Sequence, residues 1–231
     1  MQCDKHVFWF YFATCGFDNT VSVFLITYTI IGVTVLVSML AFNRPAMLAE
    51  FMMNPHKVNT RGQYYRFLTS GFIHQNHMHL ILNMFSFYFF GRVIETVFAM
   101  TFGDWGAVYY IALYILALVV SDLPSYFKHK NNPRYNSLGA SGAVAAVIFA
   151  CIVFRPLQDI CLFIKLCLPG FILGTAYLIY SYFQGKKAND NINHDAHLYG
   201  AVFGFIFCII LYPPSITNFF KEIMAWRMFD M

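Results

Sequence analysis

Charged residues are scarce in this chain of 231 residues: Asp, Glu, Lys and Arg make up 11% of it, against about a quarter in soluble domains. So few charges cannot cover a water-exposed surface, so most of the surface must face another medium. Hydrophobic residues make up 59% and aromatic residues 19%, and lipid-facing and interfacial positions favour such side chains. The composition therefore predicts a protein of the lipid bilayer.

Several motifs are also missing, and each absence bears on a class of function. The formal net charge of +4 is spread through the loops instead of forming a basic stripe, which argues against nucleic acid as a partner. The six cysteines include no CxxC pair, so packed free thiols are expected in place of a disulfide framework. HExxH is absent as well. Zinc bound by histidines is left as an alternative, but no metal or cofactor is expected.

Long apolar runs divide the chain into segments near the ~20 residues that cross the hydrocarbon core. An all-α polytopic membrane protein is expected, with one six-helix domain over residues 21–212. Its spans are predicted at 21–42, 79–100, 104–120, 137–154, 160–183 and 194–212. Residues 1–20 form a predicted interfacial segment, and residues 213–231 an amphipathic tail on the membrane surface. Residues 43–77 form an unusually long first loop, whose apolar pieces predict a compact structure partly embedded in the membrane interface.

Polar side chains inside membrane segments are costly and are candidates for function. One group, His74, His77, His79 and Asn83, lies at the start of the second span. His79 and Asn83 are four residues apart, so they share a helix face. Both can donate a hydrogen bond without carrying a charge. Hydrogen bonding between helices is the structural alternative for one such residue, but the pair on one face favours a functional site.

A second candidate is Ser141, which stands between small residues at the head of the fourth span. Gly139 and Ala140 precede it, and Gly142 follows. Small residues allow another backbone to come close. Taken alone, this segment is most simply a packing helix with an incidental serine.

The sixth span supplies the third group. His197, Gly200, Ala201 and Gly204 fall at i, i+3, i+4 and i+7, so an imidazole lies above a smooth groove on one face. If the fourth span packs into that groove, His197 comes within hydrogen-bond reach of Ser141. A neutral imidazole bonded to a serine hydroxyl is an activated nucleophile. The donors of the second span could then stabilise an oxyanion.

The carboxylates favour a serine–histidine dyad over a triad. Of the eleven in the chain, only Asp195 is close to a candidate histidine in sequence. Residues two apart on a helix do not share a face. Asp195 is therefore not expected to orient His197.

The three motifs in order resemble the rhomboid intramembrane serine proteases. They read His74-x4-His79-x3-Asn83, then Gly139-Ala140-Ser141-Gly142, then Ala196-His197-x2-Gly200-x3-Gly204. The resemblance covers about residues 21–212 and implies a six-helix rhomboid bundle with a membrane-embedded first loop. It implies a protease that cleaves single-pass transmembrane substrates within the bilayer.

The resemblance also implies roles for individual residues. Ser141 would be the nucleophile and His197 the general base. His79, Asn83 and the backbone N–H groups of Ser141 and Ala140 would form the oxyanion hole. The supporting residues would be His74, Gly139, Gly142, Gly200 and Gly204, and Glu95 would be a structural glutamate at the far end of the second span.

Location and orientation are likewise implied by the resemblance. A multi-pass protein of the bacterial inner membrane is expected, with its active site toward the extracytoplasmic side. The 15 lysines and arginines divide six on the cytosolic side to nine on the other, contrary to the positive-inside rule, so orientation is taken from the resemblance alone.

Two other classes of function are left open. An inactive rhomboid-like protein that binds client helices would lack Ser141 and His197, which are both present. A small transporter with a histidine proton relay would favour duplicated halves, and no such duplication is visible. The sequence does not indicate an oligomeric state.

Overall fold

The computed structural model describes residues 24–162, 166–187 and 192–226. The interfacial segment predicted at residues 1–20 lies outside these ranges. The helices are α1 (Leu25–Phe42), α2 (Pro45–Phe51), α3 (Pro55–Arg61), α4 (Arg66–Thr69), α5 (His77–Phe102), α6 (Gly106–His129), α7 (Ser141–Phe154), α8 (Gly170–Lys187), α9 (His194–Leu211) and α10 (Pro214–Ala225). Strands β1 (Asp159–Leu162) and β2 (Leu166–Pro169) form an antiparallel hairpin between α7 and α8.

Three stretches of the described residues are long and apolar enough to cross a membrane: Leu25–Phe42, His77–His129 and His194–Leu211. The second is 53 residues long and contains both α5 and α6. Helix α7 is apolar but has only 14 residues, and α8, with two lysines in its last turn, is not among the three. The chain is thus a helical membrane protein, and the count of six spans stays a prediction.

Helix α7 lies at the centre of the bundle. Eleven of its 14 residues are buried, and it packs against α5, α6 and α9. The largest buried side chains around it come from α5 and α6, namely Phe87, Tyr110 and Tyr114. Burial of such rings contributes most of the apolar area removed from solvent or lipid. The residue that begins this central helix is Ser141.

The far end of α5 is tied to the start of α1 by Glu95. Its carboxylate accepts hydrogen bonds from the backbone N–H groups of Ile26 and Thr27, both at 3.0 Å, and from the Thr27 hydroxyl at 2.6 Å. The first N–H groups of a helix have no partner within the helix. Glu95 therefore caps α1 from a neighbouring helix.

The residues of the first loop are ordered into the three short helices α2, α3 and α4. Arg66 is buried and donates to the carbonyl oxygens of Ala49 and Met52 at 3.1 and 2.7 Å. Met53 pairs with Ser137 through two backbone hydrogen bonds of 2.9 and 3.0 Å. The loop is thus a compact unit fastened to the segment that leads into α7, while its embedding in the membrane interface stays a prediction.

One predicted loop is helical in the structure. Helix α6 continues past residue 120 to His129, through residues that the charge pattern assigns to a connection. Ser121 and Ser125 are buried in this extension, one turn apart on the face toward the other helices. Tertiary packing of that face sustains the helix although Pro124 lies within it.

The fifth predicted span is also wrong in its first third. Strands β1 and β2 occupy residues 159–162 and 166–169 there, and Cys161 is opposite Cys167 and joined to it by a disulfide. The expectation of free thiols throughout is therefore wrong for this pair, whereas Cys151 and Cys208 are free and buried. A single helix across this run would place Pro169 in its interior, where proline breaks the hydrogen-bond ladder.

Candidate active site

Ser141 and His197 are in direct contact. Ser141 is the first residue of α7, and His197 lies in the first turn of α9. The distance from His197 Nε2 to Ser141 Oγ is 2.7 Å, and both side chains are partly buried. With the ring neutral and its proton on Nδ1, the serine hydroxyl donates to Nε2. This is the arrangement in which an imidazole can take the hydroxyl proton.

Missing side chains on α9 make this contact possible. A Cβ added at Gly200 would collide with the backbone carbonyl of Gly142, and one at Gly204 with the carbonyl of Ala146. Both obstacles are backbone atoms, which cannot turn aside as a flexible side chain can. The two helices therefore approach as closely as their backbones allow, and His197 reaches across to Ser141.

The turn before Ser141 is shaped by Gly139. Its φ of +116° is a conformation that residues with a Cβ rarely adopt. A Cβ at this position would lie 2.6 Å from Cε1 of His79. The backbone that leads into α7 therefore passes directly over the His79 ring, which contacts the chain two residues before Ser141.

The His74 ring fixes the same turn from the other side. The Ala140 N–H donates to His74 Nε2 at 3.3 Å, so the neutral ring carries its proton on Nδ1. That proton is donated to Ser38 Oγ at 2.9 Å, and the Ser38 hydroxyl donates to the Phe72 carbonyl at 3.0 Å. Burial, reinforced by the charge of a protonated His79, lowers the pKa of His74 to about 3. His74 is therefore neutral and serves as a rigid link between α1, the first loop and Ala140.

The remaining predicted oxyanion donors lie near the start of α5 and of α7. Asn83 is buried, and its amide donates to the backbone carbonyl of His79 at 2.9 Å. The Ala140 N–H is engaged with His74, as described above. The N–H of Ser141 belongs to the first turn of α7, where helix geometry supplies no internal acceptor and the helix dipole favours negative charge. The start of α7 is thus electrostatically suited to an oxyanion beside the Ser141 hydroxyl.

The start of α9 is held against α6 by polar contacts. The side chain of Asn193 caps the helix by accepting the Ala196 N–H at 3.1 Å, and it accepts the Ser125 hydroxyl at 3.0 Å. Asp195 makes an ion pair of 3.0 Å with Lys128. This pair connects the first turn of α9 to the last turn of α6.

Four histidines lie in two pairs near the site. The rings of His74 and His79 meet edge to face at 5.0 Å, and those of His194 and His197 at 6.1 Å. Among the described residues, no group of three or more His, Cys, Asp or Glu side chains could hold a metal ion. The geometry therefore supplies no ligand set for the zinc alternative in the part of the chain that the structure covers.

Two positioning residues are not among the sequence-predicted site residues. Ser38 is a lone hydroxyl in an apolar span, and nothing in its sequence context connects it to His74. Asn193 falls in a predicted loop. Its place immediately before the α9 pattern is typical of a helix N-cap, and that signal is sufficient to identify it.

The fold and this site together define a class: a helical membrane protein with a serine–histidine pair at one end of its bundle. The Rhomboid domain family matches residues 61–214, which is more than half of the chain. The chain therefore belongs to the rhomboid family.

Two curated relatives come from Arabidopsis thaliana. The chain is 28% identical to "RHOMBOID-like protein 12, mitochondrial" over 168 residues, which cover 69% of this chain and 50% of the relative. It is 28% identical to "Rhomboid-like protein 11, chloroplastic" over 160 residues, or 64% and 52% of the two chains. The chain thus spans about half the length of these relatives. The expectation of a bacterial inner membrane is not supported, because both relatives are named for organelles.

Proposed function

We propose that this protein is an intramembrane serine endopeptidase that cleaves single-pass transmembrane proteins. The observation that carries the proposal is the 2.7 Å contact between His197 Nε2 and Ser141 Oγ. It lies at the N-terminal end of a buried helix, where the positive end of the helix dipole favours developing negative charge. Membership of the rhomboid family supports the same reaction class.

The reaction begins when Ser141 Oγ attacks the scissile carbonyl carbon while His197 Nε2 takes the hydroxyl proton. The carbonyl oxygen becomes an oxyanion near the first-turn N–H groups of α7 and the side chains of His79 and Asn83. His197 then gives its proton to the leaving amine as the C–N bond breaks. Water, activated by the same imidazole, hydrolyses the acyl-enzyme and restores Ser141.

The position of the serine supports this substrate class. Ser141 begins a helix of the bundle, so the reacting bond must come to a depth where the substrate is itself inside or at the edge of the bilayer. A regular helix hides its carbonyl carbons behind backbone hydrogen bonds. The preferred substrate is therefore a transmembrane segment that unwinds easily near one end, with glycine or proline near the cleaved bond.

A proteoliposome assay tests the proposal. The protein is reconstituted with a fluorescent single-span reporter, and cleavage is compared for the wild type, Ser141→Ala and His197→Ala. Both variants should lose cleavage by at least about a thousandfold. A fluorophosphonate probe should label the wild type and not Ser141→Ala. Ser215→Ala, which removes a buried serine of α10, should cleave and be labelled normally.

Cleavage by Ser141→Ala at the wild-type rate would reject the proposal. A wild-type protein that binds the reporter but neither cleaves it nor reacts with the probe would instead identify an inactive, client-binding member of the family.

A further inference from the structure

His197 contacts an aromatic ring from a helix other than the one that holds Ser141. The ring of Tyr177, on α8, lies nearly parallel to the imidazole, with 6.4 Å between centroids and 21° between planes. This is within the range of offset-stacked aromatic pairs. Tyr177 is partly buried and packs against a small apolar cluster of α7 and α9 residues that includes Phe149, whose ring lies 6.1 Å from that of Tyr177.

Helix α7 itself carries no ring in the turns that face the imidazole. After Ser141 it continues with Gly142, Ala143, Val144, Ala145 and Ala146. These small residues admit α9 and leave room beside the site. The stacked ring is supplied by α8 instead.

A second pair of rings, one helical turn away, is also in contact. Tyr180 of α8 meets His194 of α9 edge to face at 5.7 Å and 81°. Tyr177 and Tyr180 are three residues apart, as are His194 and His197, so each pair shares a helix face. Two tyrosines of α8 therefore contact the two histidines at the start of α9.

The helix that carries these tyrosines buries few of its residues in the bundle. Only Gly170, Gly174 and Ser181 are buried among the 18 residues of α8. Together with Tyr177 they fall on one face, at i, i+4, i+7 and i+11, and Tyr177 is the only large side chain of the four. Any displacement of α8 along or away from α9 therefore moves the ring that lies on His197.

We propose that Tyr177 is a positioning residue for His197. Its ring restricts the imidazole to the orientation in which Nε2 faces Ser141 Oγ, so the position of α8 governs how often the pair is ready to react. The inference rests on the proposed protease function. It assigns α8 a part in catalysis that neither the serine nor the histidine motif indicates.

The test compares ring removal with ring retention in the full chain. Tyr177→Leu removes the stacked ring, and Tyr177→Phe keeps the ring without its hydroxyl. We expect Tyr177→Leu to lower kcat by about two- to tenfold, the range that aromatic pair contacts support, with KM unchanged. Tyr177→Phe should have the same kcat as the wild type. The rate at which the fluorophosphonate probe labels Ser141 should fall in parallel, which reports on the pair without requiring entry of a protein substrate.

Phe183→Leu is the matched control, because it removes an aromatic residue of the same helix that is 57% exposed. Its kcat and labelling rate should equal those of the wild type. Thermal unfolding of each variant shows whether the fold is intact. If Tyr177→Leu does not fold, Tyr177→Met supplies an unbranched, more adaptable side chain without the ring and serves in its place.

The outcomes separate the two proposals. If the wild type is active and Tyr177→Leu is equally active, the role of the ring is overturned and the protease proposal stands. The same holds if Tyr177→Phe is as impaired as Tyr177→Leu. Equal impairment of Phe183→Leu would also overturn it, since the effect would then belong to α8 in general. A wild type that neither cleaves nor labels would overturn both.

Discussion

Helix α9 packs against two neighbours in opposite ways. Toward α7 its glycines are in contact with backbone carbonyls, and 11 of the 14 residues of α7 are buried. Toward α8, histidine rings of α9 contact tyrosine rings, and three of the 18 residues of α8 are buried. The Ser141–His197 pair is formed at the first contact and flanked by the second. Close packing thus fixes the distance between Ser141 and His197, while a contact between aromatic side chains borders the imidazole.

The α7–α9 contact should be the most sensitive to a single added methyl group. We expect Gly200→Ala to lower kcat at least about a hundredfold, since misplacing reacting groups by about 1 Å has that cost. It should also destabilise the fold by about 1–3 kcal/mol, as overpacking does. Reporter cleavage and thermal unfolding measure the two effects. Gly32→Ala is the control, because its added Cβ meets no heavy atom within 4 Å.

A second prediction concerns the turn before Ser141. Gly139→Ala strains a φ of +116° and presses on the His79 ring, so kcat should fall by about tenfold or more through loss of oxyanion stabilisation. Gly62→Ala tests strain alone, since Gly62 has a φ of +66° and its added Cβ would lie 3.9 Å from the nearest atom, on Tyr64. Similar kcat values for the two variants would contradict the placement of His79.

On the α8 side an added methyl group should be tolerated. A Cβ at Gly174 would lie 2.8 Å from Ile152 Cδ1, the end of a flexible side chain that can rotate away. We expect Gly174→Ala to change the free energy of unfolding by about 1 kcal/mol or less and kcat by less than about threefold. If Gly174→Ala matched Gly200→Ala in an unfolding and cleavage series, the contrast between the backbone contact of α9 with α7 and the side-chain packing around α8 would be lost.

The ion pair between Lys128 and Asp195 should have the smallest effect. The lysine side chain is 52% exposed and the aspartate side chain 26%, and pairs of this kind contribute about 0–1 kcal/mol. Lys128→Ala should therefore leave kcat unchanged and shift the thermal midpoint by little, and by less still in high salt. A large loss of activity would show that the start of α9 depends on this pair in place of the Asn193 cap.

Sequence spacing predicts the α7–α9 contact well and the α8–α9 contact poorly. Gly200 and Gly204, three and seven residues after His197, define a smooth helix face by their spacing alone, and α9 differs from its predicted span by one residue. Tyr177 lies in an apolar run of aromatic residues, where nothing distinguishes a ring beside the site from a ring facing lipid. The same holds for Ser38, whose partner His74 is 36 residues away.

The errors in the predicted fold have a common physical origin. Apolar composition marks a segment as buried or lipid-facing but does not decide whether it is helical, so it assigns the hairpin of Cys161 and Cys167 to a span. The extension of α6 is predicted to be a loop because its polar residues are typical of a connection between membrane spans. There Ser125 meets Asn193 at 3.0 Å across the bundle, and such a partner is invisible in local sequence.

Composition alone establishes that the protein resides in a membrane, because 11% charged residues cannot cover a water-exposed surface. Local spacing also establishes which face of each helix carries polar groups, since side chains repeat with the helical period. How those faces meet depends on tertiary packing. The 2.7 Å contact of His197 with Ser141, the link from Ala140 through His74 to Ser38, and the ring of Tyr177 beside the imidazole all require distances between segments far apart in the chain.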